Sequence, residues 1–250
     1  GKPTDYYNED LLYKLFGINA ELLIDHAWGW EPCTIAEVKA YKPETTSLGS
    51  GQVLQSPYTC EKVKLIVREM TDLLVLDLVS KRMVTNQMVL TIGYDTESLS
   101  RPEIARKYKG EIKSDHYGRK VPKHAHGTAN LDSYTSSTRL ITEAVMDLFD
   151  RIINPDLLVR RVNITAARLI SEDEVESEPS FEQLDLFTDF TAVQEQREQE
   201  KAALERERRM QEAMLKIKGK FGKNAIVKGM NLQEGATTME RNRQIGGHKA

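Results

Sequence analysis

The side chains best suited to bind a metal ion or move a proton fall in one stretch: Asp115, His116, His124 and His126. A zinc site needs three or four converging ligands at bond lengths of about 2 Å. His124 and His126 occupy alternate positions of an extended pattern, which turns both rings to the same exposed side, and no fourth ligand has suitable spacing. They read as histidines facing solvent or phosphate, and the expected metal-ligand set is none. Magnesium-assisted phosphoryl transfer would need two or three converging carboxylates. The acids here are scattered along helical patterns or concentrated between residues 171 and 189. No GxxxxGKS/T loop, nucleophile elbow or HExxH pair occurs, so no catalytic residue is expected in this chain.

What the chain does offer is chemistry for phosphate oxygens. Between His124 and Asp132, the residues His126, Thr128 and Asn130 alternate with Ala125, Gly127, Ala129 and Leu131. Between Leu157 and Ile170, Arg161, Asn163 and Thr165 oppose Val162, Ile164 and Ala166. A loop from about Ser98 to Lys120, continuing to Lys123, carries eight basic residues against Glu103, Glu111 and Asp115. Hydroxyls, amides and backbone N–H groups on a strand surface, flanked by Arg and Lys, match what sugar–phosphate backbones accept, and such contacts do not read sequence. The solvent face of any antiparallel sheet would look similar, and the residues alone leave both readings open.

A second chemistry lies in "SFEQLDLFTDF", Ser180 to Phe190. Residues 171–189 hold eight acids and no Lys or Arg, too polar a stretch to build a core. Leu184, Leu186 and Phe187 would serve as buried anchors in another protein's pocket, with Gln183 as a hydrogen-bonding handle. The competing reading is an amphipathic linker that folds back on its own domain.

The elements that must position these groups follow from periodicity. Leu11–Trp30 reads as two short helices ending at Gly17 and Gly29, the first glycine marking a natural stop. Thr46–Gln55 reads as a strand rich in Gly and Ser, and Thr59–Ser80 as a helix with Val63, Ile66, Val67, Met70, Leu73 and Leu74 on its apolar side. Met88, Leu90, Ile92 and Tyr94 alternate as in a strand. Ser136–Ile153 is a helix with Ile141, Ala144, Val145, Leu148 and Ile152 on one stripe. The order β-α-β-β-α-β implies an α+β domain: two helices on one face of a four-stranded sheet, the other face wet. Val193–Ile217 reads as a charged helix, and the Gly-rich remainder as at most locally ordered.

Composition sets the outer limits. The 250 residues are 40% hydrophobic and 29% charged with net charge −3, which fits a core-bearing chain with polar attachments. Cys33 and Cys60 give no disulfide framework, which suits a reducing compartment. No apolar run of 18 residues and no signal segment is present, so the expected location is cytoplasmic, away from membranes. The chain begins at Gly1-Lys2-Pro3 without an initiating Met, and the expectation is a piece of a longer protein.

Three stretches, in order, resemble the Y-family translesion DNA polymerases of the UmuC/DinB type (ImpB/MucB/SamB family). "LLYKLFGINAELLIDHAWGWEP" resembles the end of that family's thumb, and "SLGSGQVLQSPYT" the opening strand of its little-finger domain. Gln-Leu-x-Leu-Phe beyond that domain is similar to the family's bacterial sliding-clamp-binding motif. The resemblance implies a partial helical thumb and linker over 1–43, a little finger over 44–171, an acidic clamp-binding segment over 172–191, and a charged helix with a C-terminal extension over 192–250. It implies template–primer duplex DNA and the bacterial sliding clamp as partners, with a role in DNA repair and SOS damage tolerance. The DNA-binding set it implies is Ser47, Gly49, Ser50 and Gln52 on the first strand, His126, Thr128 and Asn130 on the third, Arg161, Asn163 and Thr165 on the fourth, and Lys120 and Lys123 beside them. The clamp-binding set is Gln183, Leu184, Leu186 and Phe187. Palm and fingers are not in this chain; the expectation is a fragment inactive by itself and without a cofactor, cut from a polymerase that uses magnesium. The alternatives are a non-catalytic sheet-based nucleic-acid binder, or an interaction adaptor built on the charged helix.

Overall fold

A computed structural model describes residues 9–31, 33–41, 46–175, 190–245 and 248–249. The chain forms two units, Gly1–Glu44 and Thr45–Ala250. The first holds helices α1 (Glu9–Phe16), α2 (Asn19–Ala27) and α3 (Ile35–Ala40). Gly17 and Gly29 stop α1 and α2 in the left-handed region, at φ +57° and +80°. Thr34 and Glu37 form a capping box that starts α3: the Glu37 N–H donates to Thr34 Oγ1, and the Thr34 N–H donates to the Glu37 carboxylate at 2.7 Å. Ala20 is the one buried hydrophobic residue among those described in this unit, so these helices carry their apolar side chains without a core of their own.

The second unit contains strand β1 (Ser47–Tyr58), helix α4 (Cys60–Ser80), strand β2 (Met83–Tyr94), short helices α5 (Glu97–Ser100) and α6 (Pro102–Ala105), and a hairpin of β3 (Ile112–Ser114) and β4 (Lys120–Pro122). Strand β5 (Ala125–Thr135), helix α7 (Thr138–Ile152) and strand β6 (Val159–Ala167) follow, then β7 (Ile170–Ser171) and α8 (Glu172–Val175). The long strands pair antiparallel in the order β1-β6-β2-β5, and β7 adds a short pairing to β2 beyond a left-handed Arg168 (φ +51°). This is the β-α-β-β-α-β arrangement with α4 and α7 on one face. The charged loop between β2 and β5 is not featureless, because it folds into α5, α6 and the β3–β4 hairpin.

Period-2 alternation decides the inward set. Met88, Leu90 and Ile92 of β2 and Val162, Ile164 and Ala166 of β6 are fully buried against Val63, Ile66, Val67 and Met70 of α4 and Ile141, Val145 and Phe149 of α7. Burying one such side chain is worth about 1.5–3 kcal/mol, so this layer dominates the unit's stability. Gly127 lets α7 settle onto β5: a Cβ there would meet Leu148 Cδ1 at 2.8 Å and Ile152 Cγ2 at 2.9 Å.

The charged helix expected over Val193–Ile217 is present and longer, and the Gly-rich remainder after it holds more than local order. Helix α9 runs over Phe190–Phe221, followed by a 3-10 turn (Gly229–Leu232), α10 (Thr238–Arg241) and the strand pair β8 (Gln244–Ile245) and β9 (His248–Lys249). This extension packs on the helix side of the sheet. Gln211 is buried and donates to Ser136 O and Thr138 Oγ1, each at 2.9 Å. Glu207 caps the N-terminus of α7, accepting from Ser137 Oγ at 2.6 Å and the Arg139 N–H at 2.9 Å, where a carboxylate also meets the helix dipole favourably. Helix α4 is consequently enclosed on two sides, by the sheet and by the extension, which explains why Glu69, Thr71 and Asp72 are buried with its apolar residues. Glu69 accepts from Asn231 Nδ2 at 2.7 Å and the Thr237 N–H at 2.8 Å, and Lys228 pairs with Asp72.

Candidate nucleic-acid interface

The face of the sheet opposite the helices has an ordered composition. Reading across the strands in the order β1, β6, β2, β5, one row is Gly51–Asn163–Thr91–His126, the next Gly49–Thr165–Val89–Thr128, and the third Ser47–Ala167–Gln87–Asn130. A fourth row begins Val53–Arg161–Gly93. The first three rows contain no carboxylate. Their polar groups are tied to one another across strands: Gln87 Nε2 donates to Asn130 Oδ1 at 2.9 Å, and Thr91 Oγ1 and His126 Nδ1 share a hydrogen at 2.8 Å. Gly49 and Gly51 keep the edge strand low beside Thr165 and Asn163, since a Cβ at Gly49 would lie 3.1 Å from Thr165 Oγ1. The result is a shallow surface of hydroxyls, amides and one imidazole, on which a backbone of phosphates can lie close.

The structure divides the residues named from sequence. Ser47, Gly49, His126, Thr128, Asn130, Arg161, Asn163 and Thr165 share this open face. Ser50 and Gln52 do not. They stand at odd register from Gly49 and Gly51, so the pleat turns them to the helix side with Leu48 and Leu54. There Gln52 Nε2 donates to Thr237 Oγ1 at 2.9 Å, and Arg241 donates to Ser50 Oγ at 3.3 Å. Both residues serve the C-terminal extension instead. Lys120 and Lys123 lie at the hairpin, where Lys123 pairs with Glu111 at 2.8 Å and Lys120 reaches Ser114 Oγ at 3.3 Å. Gln183, Leu184, Leu186 and Phe187 lie outside the described residues.

Half of the loop's eight basic residues are paired with nearby carboxylates. Arg101 pairs with Glu97, Arg119 with Asp115 at 2.7 Å, and Lys113 and Lys123 with Glu111. The Lys123 ammonium holds the Glu111 carboxyl below the usual range, and the Arg119 guanidinium does the same for Asp115. Asp115 is thus a brace for a turn. His124 and His126 meet edge to face with centroids 6.5 Å apart, an aromatic contact. Arg160 sits in a bulge of β6, bonded to Gln55 O at 2.9 Å and 3.8 Å from Asp95, which leaves Arg161 as the cation of the open face.

Sequence reasoning missed the middle of the surface. Gln87, Val89, Thr91 and Gly93 of β2 face outward beside the fourth strand. The signal was available: they are the alternates of Met88, Leu90, Ile92 and Tyr94, whose strand spacing is plain in the sequence and which the structure buries.

Residues 45–186 match the model of a protein family described as the impB/mucB/samB family C-terminal domain. No curated protein sequence matches. Among solved structures, one described as "Y-family DNA polymerase chimera Dbh-Dpo4(243-245)-Dbh" is similar with 11% identity and a TM-score of 0.36, over 66% of this chain and 39% of that one.

Proposed function

Since the chain belongs to the impB/mucB/samB family, whose C-terminal domain it carries, we propose that the open sheet face grips the backbones of a template–primer DNA duplex on behalf of a longer, error-prone DNA polymerase. One observation carries the reading: three cross-strand rows in which hydroxyl, amide and imidazole groups fill eight of twelve positions, the rest being Gly, Ala and Val with no carboxylate, edged by Arg161. An enzyme that copies distorted bases gains from holding undamaged backbone around them, and groups of this kind hold backbone irrespective of sequence. The Gln183–Phe187 segment, by its composition, docks in the bacterial sliding clamp, tethering a weak grip so that its effective concentration rises toward the millimolar range. Damage tolerance in the bacterial cytoplasm, under SOS control, is the setting that this reading favours. Among the described residues no helix is long and apolar enough to cross a membrane.

The magnesium implied for a polymerase finds no ligand set among the described residues, where no three His, Cys, Asp or Glu side chains converge. On the family's likeness and the open face, we assign this chain grip and tethering, and nucleotide transfer to the longer protein.

The test is duplex binding by the 250-residue chain across a salt series. Each phosphate contact contributes about 0.9 to the slope of log affinity against log salt, so a grip of several phosphates gives a steep line. Arg161→Ala should weaken binding to all sequences alike and reduce the slope by about 1. Leu186→Ala with Phe187→Ala should abolish retention by the clamp and leave that line unchanged. Absence of duplex binding at about 50 mM salt, where such contacts are strong, would refute the grip; a preference for single-stranded RNA would favour an RNA-binding module.

A further inference from the structure

The β3–β4 hairpin stands at the Val53–Arg161–Gly93 end of the open face, and between hairpin and sheet lies a trough of about 780 Å³. Val53, Gly93 and Arg161 line it from the sheet, and His116, Tyr117 and Arg119 from the hairpin. Tyr117, at the hairpin's turn, is 78% exposed. A tyrosine on a loose loop would mean little, but this turn is built. Asp115 Oδ1 accepts from the Tyr117 and Arg119 N–H groups at 2.9 and 2.8 Å, and Oδ2 accepts from Arg119 Nε at 2.7 Å. Gly118 closes the loop at φ +76°, a conformation that other residues adopt with strain. The ring is steadied by the Arg119 guanidinium 5.2 Å from its centroid and by His116 edge-on at 5.3 Å.

Three hydrogen bonds and two ring contacts therefore hold an aromatic side chain in water at this hairpin. Arg119 is paired with Asp115, and Lys113 and Lys123 share Glu111, so beside the residual charge at Lys120 the ring is the distinctive group the hairpin presents. Arg161 and His124 also line the trough, and its three carboxylates, Asp95, Glu97 and Asp115, are each turned to another cation: Arg160, Arg101 and Arg119. Bases inside a duplex are stacked on both sides and cannot use such a ring. An unpaired base in a strand leaving the duplex can, and stacking on an aromatic side chain tolerates any base.

We propose that Tyr117 is a stacking post for an unpaired base, receiving single-stranded DNA as it leaves the duplex held on the sheet, with Arg161 and His124 beside its phosphates. The inference rests on the duplex grip described above and adds a second, structurally distinct contact.

The experiment compares a blunt duplex with the same duplex extended by an oligo-dT overhang, by fluorescence anisotropy at constant salt. One stacked base should make the overhang substrate bind about 5- to 150-fold more tightly. Tyr117→Ala should erase that advantage while blunt-duplex affinity stays within about two-fold, and Tyr117→Phe, which keeps the ring, should retain it. Equal binding of the two substrates by the unmodified chain would overturn the stacking post and leave the grip intact. So would an overhang advantage that survives Tyr117→Ala, which would point to a protein-binding role for the hairpin. Failure of the blunt duplex to bind, with the overhang still bound through Tyr117, would sink the grip alone. Unchanged thermal melting of Tyr117→Ala would confirm that this exposed position tests binding and not folding.

Discussion

Glu69 gives the sharpest test of how the C-terminal extension is held. The side chain is 1% exposed, and all three of its donors come from the extension: Asn231 Nδ2 at 2.7 Å, the Thr237 N–H at 2.8 Å and the Thr238 N–H at 3.4 Å. Glu69→Ala removes the acceptor and leaves those donors where water reaches them poorly. A hydrogen bond to a charged group is worth about 1.5–3 kcal/mol net, and each orphaned buried donor costs about 1–3 kcal/mol. The three share one carboxylate and do not add, so the expected loss is about 3–5 kcal/mol, in the range for removing one partner of a buried polar cluster. For a unit of this size that lowers the melting midpoint by roughly 6–20 °C. The loss has a ceiling, because once it exceeds the free energy of docking the extension detaches and the sheet–helix core remains. Hydrogen exchange separates the cases: the Thr237 and Thr238 amides should lose protection first, with the Val162 and Ile164 amides of β6 still protected. A midpoint within about 1 °C of the unmodified protein, with both amides still slow to exchange, would show that the extension is held by something other than this carboxylate.

The pleat of β1 separates two outcomes. Gln52→Ala, losing its neutral bonds to Thr237, should cost about 1 kcal/mol of stability and leave duplex affinity unchanged; weakened DNA binding at constant stability would place Gln52 on the wrong side of the sheet. Asp115 yields a pH dependence. Its folded carboxyl is held below the ordinary value by Arg119, so its bracing of the Tyr117 turn is fully present above the ordinary carboxylate pKa of about 3.9 and is lost as pH falls through the lower, folded value. Protection of the Tyr117 and Arg119 amides, which donate to Asp115, should therefore hold from about pH 7 to 5 and fall only below about 4, and its loss near neutrality would refute the brace.

The strand and helix order was readable because hydrophobic period switches cleanly between 2 and 3.6 in β2, α4, β6 and α7. The side of β1 was not readable, because Ser47–Gln52 carries Ser at both parities with polar or small residues on each side, and only Leu48 and Leu54 mark the inward set. Its inward polar residues, Ser50 and Gln52, meet the polar chain of the extension and not the apolar core, so hydrophobicity could not sort them. The extension's docking was hidden for a related reason. Glu69 and Asp72 look like solvent-side charges on an amphipathic helix, and nothing local announces that Asn231, Thr237 and Lys228, some 160 residues later, will cover them. Turn chemistry at Asp115 to Arg119 was present in the sequence but read as loop charge.

The return of the extension to the domain changes what a tether at Gln183–Phe187 would mean. That segment lies between α8, ending at Val175, and α9, starting at Phe190. Both flanks are attached: Arg208 of α9 pairs with Glu172 of α8 at 2.7 Å, and Glu200 pairs with Arg139 of α7. The motif therefore does not trail from a free end. Residue 185 lies five residues from Phe190, and extended chain spans at most about 3.6 Å per residue, so its centre stays within roughly 18 Å of the start of α9. From Phe190 to Glu200 the helix adds about 15 Å. A partner that took Leu186 and Phe187 would then sit within a few tens of ångströms of the Glu200–Arg139 attachment. Effective concentration falls as a tether lengthens, so a motif bounded at both ends holds its partner more closely than the same residues on a loose C-terminus would.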